Sequence, residues 1–443
     1  MQLPDRFTER TRDILKEEFD DFLKSLETNS PVSVRVNNKT EIVPSTETVI
    51  WNKNGYYLPE RPLFTADPLF HAGAYYVQEA SSMFLAEVAK QFFSDAETVL
   101  DLCAAPGGKS TSLLQELPEN SLLVCNEIIR SRAYILAENI AKWGNPNAIV
   151  TNNKPEDFSK ATDFFDVIVV DAPCSGEGMF RKDPGAIDEW SIENVTLCAQ
   201  RQKDIIGHIW ESLKPGGILV YSTCTYNREE NEENIQWICE NFDAEKQDVR
   251  IPENSGIVTS DAGYRFYPHR VKGEGFFISV IKKSEESTFS KKNKNYGNKG
   301  IKFVKEKNDL TSSLKEPEKF SFFIDENYLR AFPIDRFDDY YFVFKSLNFM
   351  SGGLTLAEIK GRDYIPAAEL ALSKELDINN VVSYDSNKDE AIRFLRKDAI
   401  VLDTDQRNYV LICYKGLALG WVKNLGNRCN NLYPQNWRIR MQL

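Results

Sequence analysis

The chain has 443 residues, 42% of them hydrophobic and 12% aromatic, too many for one core, so two or three globular domains are expected. No apolar run reaches the ~18–20 residues of a membrane helix, and the opening Met1-Gln2-Leu3-Pro4-Asp5-Arg6 lacks the apolar stretch of a secretory signal; the expectation is a cytoplasmic, monomeric protein with no membrane partner. Eight cysteines without a CxxC pair read as reduced thiols, and three scattered histidines (His71, His208, His269) argue against a metal site.

Residues 1–92 read as a small N-terminal α/β module. Phe7 to Leu26 has helical spacing with many acids, and Val32–Asn37 alternates like a half-exposed strand. Over residues 93–283 short apolar strands alternate with helices: Thr98–Asp101, Ser121–Glu127, Ala148–Thr151, Val167–Asp171 and Ile218–Ser222 as strands, Arg130–Lys142 and Leu197–Leu213 among the helices. That alternation specifies an α/β domain whose parallel sheet is covered on both faces. Gly263–Pro268 and Gly275–Lys282 predict an antiparallel hairpin at its edge. Residues 284–309, within a Lys-, Asn-, Ser- and Gly-rich stretch, predict a flexible linker. An aromatic-rich intermediate domain follows over 310–384. Residues 385–443 show short strand signals punctuated by glycine (Tyr409–Tyr414, Leu417–Val422, Leu432–Pro434), which fit a small β-barrel.

The net charge of −12 is unevenly spread. Gln406–Leu443 carries six basic residues (Arg407, Lys415, Lys423, Arg428, Arg438, Arg440) and no acid, leaving −18 on the rest. A basic face on an acidic chain is the footprint of a polyanion site, because local potential rather than total charge holds phosphates.

Asp101-Leu102-Cys103-Ala104-Ala105-Pro106-Gly107-Gly108-Lys109-Ser110 follows the first parallel strand and opens a helix. Gly107 and Gly108 let backbone approach a ligand at a strand-to-helix turn. The ending imitates a phosphate-binding loop, but that motif needs glycine where Cys103 stands. Glu127, about twenty residues on, can accept hydrogen bonds from the two hydroxyls of a ribose. Together these favour S-adenosylmethionine over a dinucleotide. Two further strings, Asp171-Ala172-Pro173-Cys174-Ser175-Gly176 and Ser222-Thr223-Cys224-Thr225, each follow a strand, so two thiols and one carboxylate share a crevice at the carboxyl ends of neighbouring strands. That set suits covalent attack on a pyrimidine. Carbon 5 of cytosine is a poor nucleophile until a thiolate adds at carbon 6, an acid serves N3, and a base later removes the carbon 5 proton. A free thiol, with a pKa near ~8.5, is only a few per cent ionised at pH 7; Lys109 and a neighbouring sulfonium supply the positive surroundings that lower it.

At these residues the chain resembles the Nol/Nop/Sun-type RNA cytosine-5 methyltransferases, and more narrowly their bacterial RsmF (YebU)-like branch. The resemblance rests on Asp171–Pro184, on Tyr221–Glu232, and on Cys103–Lys109, which matches the family's S-adenosylmethionine loop. It continues through Tyr76–Ser82, Gly353–Leu376, Gly420–Lys423 and Asn431–Pro434. It implies a Rossmann-like class I methyltransferase core, a C-terminal PUA-like RNA-binding barrel, and methylation of cytosine carbon 5 in 16S ribosomal RNA. It further implies Cys224 as nucleophile and Cys174 as the thiol assisting release, an allocation spacing does not give, since DNA cytosine methyltransferases use the Pro-Cys thiol. Cys103, Ala104, Ala105, Pro106, Gly107, Gly108, Lys109, Glu127 and Asp171 are implied as cofactor contacts, Asp171 also lying near the target base. One departure is Lys154, which stands where many relatives end the third strand with an adenine-binding aspartate; either Asn153 or Asp157 substitutes, or adenine is held less tightly.

RNA as partner would draw phosphate and shape contacts from the basic C-terminal barrel and from the Arg35/Asn37 strand. Two other readings compete. A catalytically silent ribosome-assembly factor would have lost a cysteine or the glycine loop, and all are intact. A methyltransferase acting on a base amino group or a protein usually has an aromatic residue where Cys174-Ser175 stands.

Overall fold

The computed structural model describes residues 1–285, 302–304 and 308–441. Its centre is a sheet whose strands run in the order Val258–Thr259, Tyr264–Phe266, Phe276–Lys283, Leu213–Thr223, Phe165–Asp171, Thr98–Asp101, Leu122–Asn126, Ala148–Thr151 and Phe349–Gly352. The five from Leu213–Thr223 to Ala148–Thr151 are parallel. They are buried on both faces, and successive side chains alternate between two apolar clusters: Val99, Leu123 and Cys125 on one side, Leu100, Leu122 and Val124 on the other. Runs of branched apolar residues form strands here because either face finds a helix-covered core. The predicted hairpin is present, Tyr264–Phe266 pairing antiparallel with Phe276–Lys283. Chain order reverses at Thr98–Asp101, so the crevice beyond its carboxyl end is where this architecture seats a ligand.

The N-terminal module departs from expectation twice. The predicted continuous helix is two, Asp5–Leu15 and Phe19–Leu26, parted at Lys16, whose φ of 52° leaves the helical region. The break lets Phe7 seat against Phe180, with ring centroids 4.9 Å apart, and Phe22 against Tyr226 at 5.1 Å. The half-exposed strand is instead Val32–Val36, an inner strand of a four-stranded sheet with Ser33, Val34, Arg35 and Val36 all buried. Arg35 is 1% exposed and Asn37 5%, so neither faces RNA. The Arg35 guanidinium donates to Gln78 Oε1 (2.7 Å), to the carbonyls of Gly108 and Thr111 (both 3.2 Å), to Thr111 Oγ1 (2.5 Å) and to Gln115 Oε1, and lies 4.6 Å from the Trp143 ring. Asn37 donates to the carbonyls of Gly73 and Trp143. Both residues join the module to the central domain.

The predicted linker falls mostly outside the described residues; within it, Lys302–Phe303 already pairs with Phe323 and Ile324. That strand begins a five-stranded antiparallel sheet completed by Phe320–Asp325, Tyr328–Pro333, Leu354–Lys360 and Asp363–Pro366. The intervening Phe349–Gly352 crosses to the central sheet and pairs antiparallel with Ala148–Thr151. A last sheet holds Ser383–Asp385, Asn408–Tyr414, Leu417–Asn424 and Cys429–Asn431. Its final strand therefore precedes the predicted Leu432–Pro434, where Tyr433 turns inward onto Phe394, ring centroids 5.4 Å apart. No helix among the described residues is long and apolar enough to cross a membrane, and no group of three metal-ligating side chains is found among them.

Candidate active site

Asp171 ends the Phe165–Asp171 strand and lies opposite Ser222 in the adjoining parallel strand, so the strings after each strand emerge side by side. The Ala172 N–H bonds the Ser222 carbonyl at 2.8 Å, extending the pairing one residue into the loops. Cys174 and Cys224, fifty residues apart in sequence, then meet with their sulfurs 3.1 Å apart, neither in a disulfide. Gly178 packs the two loops: its N–H donates to the Cys224 carbonyl at 2.8 Å, and a Cβ there would stand 2.8 Å from that oxygen and 2.6 Å from the Gly275 carbonyl oxygen.

Asp171 is held on both carboxyl oxygens. Ser222 Oγ donates to Oδ1 at 2.8 Å, and Lys109 Nζ lies 2.8 Å from Oδ2. Burial disfavours the Lys109 ammonium, but the charge and hydrogen bond of Asp171, with smaller help from Asp101 and Cys224, outweigh it and hold its pKa above the usual lysine value. The hydrogen bond to Cys224, then burial, then the charges of Cys224 and Glu230 push the Cys174 thiol well above the usual range. Cys174 is therefore held as the protonated thiol beside the Cys224 sulfur.

A cavity of about 370 Å³ opens on this cluster. Cys103, Ala104, Ala105, Pro106, Gly108, Lys109, Asp171 and Cys224 line it, all expected from the sequence; Tyr76, Gln78, Met179, Lys182, Glu274 and Phe276 line it as well. Cys174, Gly107 and Glu127 lie outside that lining. Cys174 reaches the cavity only through its contact with Cys224, and Gly107 forms the turn at φ 116°, a conformation that favours glycine. Glu127 is 3% exposed, accepts the Ile129 N–H at 2.8 Å and faces Arg132 Nη1 at 3.4 Å; Arg132 in turn donates to the Ala105 carbonyl at 2.8 Å. Arg132 therefore ties Glu127 to the glycine loop, a link its place in an ordinary helical pattern does not signal. Asn153 is engaged by both polar atoms, accepting from Asn348 N and donating to Asp157 Oδ2, so of the candidates beside Lys154 it serves the strand entry at Phe349. A larger cavity of about 450 Å³, between Asn37–Lys39, Trp143 and Ala371–Leu376, has no cysteine in its lining.

The loop has features that fit a zwitterionic, cationic ligand. The nine-residue helix Gly108–Glu116 starts without a side-chain cap, leaving first-turn N–H groups for an anion. At the strand end Asp101 is wholly buried, with Oδ2 bonded to Ser110 Oγ at 2.6 Å and Oδ1 lacking a hydrogen-bond partner among the described residues. Burial pushes its carboxyl up to about 7, with Ser110 opposing and the Asp171 charge adding.

Comparison with known proteins covers nearly the whole chain. Residues 92–282 match the 16S rRNA methyltransferase RsmB/F family, residues 3–80 the N-terminal domain of 16S rRNA methyltransferase RsmF, and residues 381–439 the methyltransferase RsmF PUA domain. The ribosomal RNA small subunit methyltransferase F of Aliivibrio fischeri (strain MJ11) is 30% identical over 98% of this chain and 97% of its own. The protein of that name from Pectobacterium carotovorum subsp. carotovorum (strain PC1) is also 30% identical, over 98% and 95%. A solved methyltransferase homolog from Pyrococcus horikoshii superposes with a TM-score of 0.55 at 30% identity, covering 63% of this chain and 95% of that one. Identity at this level, carried from end to end and through both terminal modules, makes the chain a member of the 16S rRNA methyltransferase RsmB/F family.

Proposed function

We propose that this protein methylates carbon 5 of a cytosine in 16S ribosomal RNA, with Cys224 adding covalently to carbon 6. The observation that carries the reading is the meeting of two free thiols beside a Lys109–Asp171 ion pair at the mouth of the glycine-loop cavity. S-adenosylmethionine, when bound, supplies an electrophilic methyl group. Cys103–Lys109 and Asp171 would hold it, with Glu127 beyond the lining beside Arg132, and the uncapped helix start and buried Asp101 would suit its charged ends.

Roles follow from the proton inventory. Cys224, facing the cavity, attacks carbon 6 as a thiolate, aided by the nearby Lys109 charge. Asp171 passes a proton drawn from Lys109 to N3 as charge builds on the ring, and recovers it on release. Bond formation turns the Cys224 sulfur into an uncharged thioether. That removes the hydrogen bond and the charge of Cys224, two of the causes that hold the proton on Cys174, and the Cys174 proton then passes to solvent. After methylation the Cys174 thiolate takes the carbon 5 proton, the carbon 5–carbon 6 double bond re-forms, and the electron pair of the sulfur–carbon bond returns to Cys224. One proton is released overall. A target base inside a helix would first have to unstack, at a cost of a few kcal/mol.

Bisulfite sequencing of 16S ribosomal RNA from cells with and without the protein tests the reading. One protected cytosine should vanish with the protein and return with the wild type but not with Cys224→Ala. In vitro, that variant should lose roughly 10⁴-fold or more in methyl transfer while binding S-adenosylhomocysteine as tightly as wild type. An unchanged cytosine pattern, or full activity of Cys224→Ala, would overturn it.

A further inference from the structure

Two buried carboxylates near the thiols are not used by that chemistry. Glu177 lies three residues after Cys174, yet its carboxylate serves the other loop. Its Oε2 accepts from Thr225 Oγ1 at 2.8 Å and from the Tyr226 and Asn227 N–H groups at 2.9 Å each, while Oε1 accepts from Trp190 Nε1 at 2.9 Å. Glu230 lies six residues after Cys224 and reaches the opposite way. It accepts from the Ser175 N–H at 3.0 Å, from Gln202 Nε2 at 2.7 Å and from Asn227 Nδ2 at 2.7 Å. Between them Ser175 Oγ and Thr225 Oγ1 are 3.0 Å apart, and Asn227 Nδ2 donates to Ser175 Oγ at 3.1 Å. Each cysteine loop thus sends an acid into the backbone of the other.

We propose that Glu177 and Glu230 form a reciprocal clasp between the cysteine loops, and that they are positioning residues which hold Cys174 against Cys224 and so set the rate at which methylated RNA is released. This rests on the proposed covalent mechanism. Glu177 is 2% exposed and Glu230 is fully buried, and among the described residues neither forms an ion pair. Burying two unpaired anions costs far more than stapling two loops with neutral amides, so packing alone does not account for them. What the charges add is a negative field around the thiols. It opposes a second thiolate beside the first, and Glu230 is among the causes that keep the proton on Cys174. Attack therefore begins with one thiolate, while the neighbouring sulfur stays at hydrogen-bonding distance for the later step. In that step the carbon 5–hydrogen bond breaks, its proton goes to Cys174, and the carbon 6–sulfur bond breaks with its electrons returning to Cys224. Loosening the clasp leaves attack possible and slows this return.

The test compares full-length wild type, Cys174→Ala, Glu230→Gln, Glu177→Gln and the pair Cys174→Ala/Glu230→Gln during turnover with S-adenosylmethionine and 16S ribosomal RNA. Binding of S-adenosylhomocysteine by calorimetry reports an intact fold. Each glutamine variant should lose about tenfold or more in kcat with the KM for RNA within about twofold, and should build up an RNA–protein adduct that survives denaturant, as Cys174→Ala does. The double variant should be no slower than Cys174→Ala alone, because both changes strike one step. A folded glutamine variant with wild-type kcat and no adduct, or one whose loss multiplies that of Cys174→Ala, overturns the clasp. If Glu230→Gln does not fold, Glu177→Gln decides by the same criteria. If Cys174→Ala itself traps no adduct and Cys224→Ala still transfers methyl, the covalent mechanism falls and the clasp with it. Adduct in Cys174→Ala but in neither glutamine variant refutes the clasp alone.

Discussion

Asp101 shows how one residue's environment becomes a measurable property. Its carboxyl is wholly buried, keeps one oxygen on Ser110 and is pushed up to about 7, chiefly by burial. The sign follows from the direction of the shift. A carboxyl whose folded pKa lies above its ordinary value stabilises the fold fully at low pH, and that contribution is lost as pH rises through about 7. A cationic ligand seated on the loop after Asp101 favours the ionised form, so binding below that pH releases a proton. S-adenosylmethionine affinity should therefore rise between pH 6 and 7, by at most about tenfold per unit, and flatten above. Calorimetry in buffers of different ionisation enthalpy reads the released proton directly. Asp101→Asn should abolish both the proton release and the slope; a wild-type affinity independent of pH would count against this role.

At the scale of single elements, the Val32–Val36 strand carries the main correction to the sequence reading. Alternation in Val32–Asn37 suggests one wet face, and Arg35 suggests a phosphate contact. Yet the acceptors for Arg35 come from Gln78, Gly108, Thr111 and Gln115, residues only the fold brings together. Two of them, Gln78 and Gly108, also line the cavity beside Cys224, so the strand braces the helix that follows the glycine loop. Arg35→Lys would lose the planar fork while keeping a buried charge, at a cost of about 1–3 kcal/mol for a buried acceptor left unpaired. It should also weaken S-adenosylhomocysteine binding. A lowered melting temperature with unchanged affinity would make Arg35 a structural brace alone.

The same contrast explains what else was legible. Thr98–Asp101 and Ala148–Thr151 match their predicted bounds because strands buried on both faces are short continuous apolar runs. The two thiol strings were legible because each sits directly after such a run. The Lys16 break, the crossing of Phe349–Gly352 and the Glu177–Glu230 exchange were not. The break depends on Phe180 and Tyr226, the crossing on Thr151 and Asn153, and the exchange on contacts between Ser175 and Glu230, partners that no local pattern names.

The whole molecule joins an acidic body to a basic end. The C-terminal sheet packs as part of one assembly: Ala72 of the N-terminal module shares a core with Phe394, Val410 and Tyr433, and Trp421 Nε1 donates to the Ala367 carbonyl at 3.0 Å. Removing Gln406–Leu443 would take out two inner strands of that sheet, and any loss of RNA binding would then report unfolding rather than charge. The basic side chains offer a cleaner handle. Arg407, Lys415, Arg428, Arg438 and Arg440 are exposed, and among the described residues none of them forms an ion pair. Cations left without acidic partners on a chain of net charge −12 keep a locally positive potential, the kind that attracts phosphates. Replacing Arg407, Lys415 and Arg428 together by alanine should leave the melting temperature and S-adenosylhomocysteine affinity near wild type. The dependence of log RNA affinity on log salt should become shallower by up to about 2, since each lost contact to single-stranded phosphate removes roughly 0.7. A slope unchanged by the triple substitution would take this face out of the RNA interface and leave phosphate binding to cations around the cavity, such as Lys182.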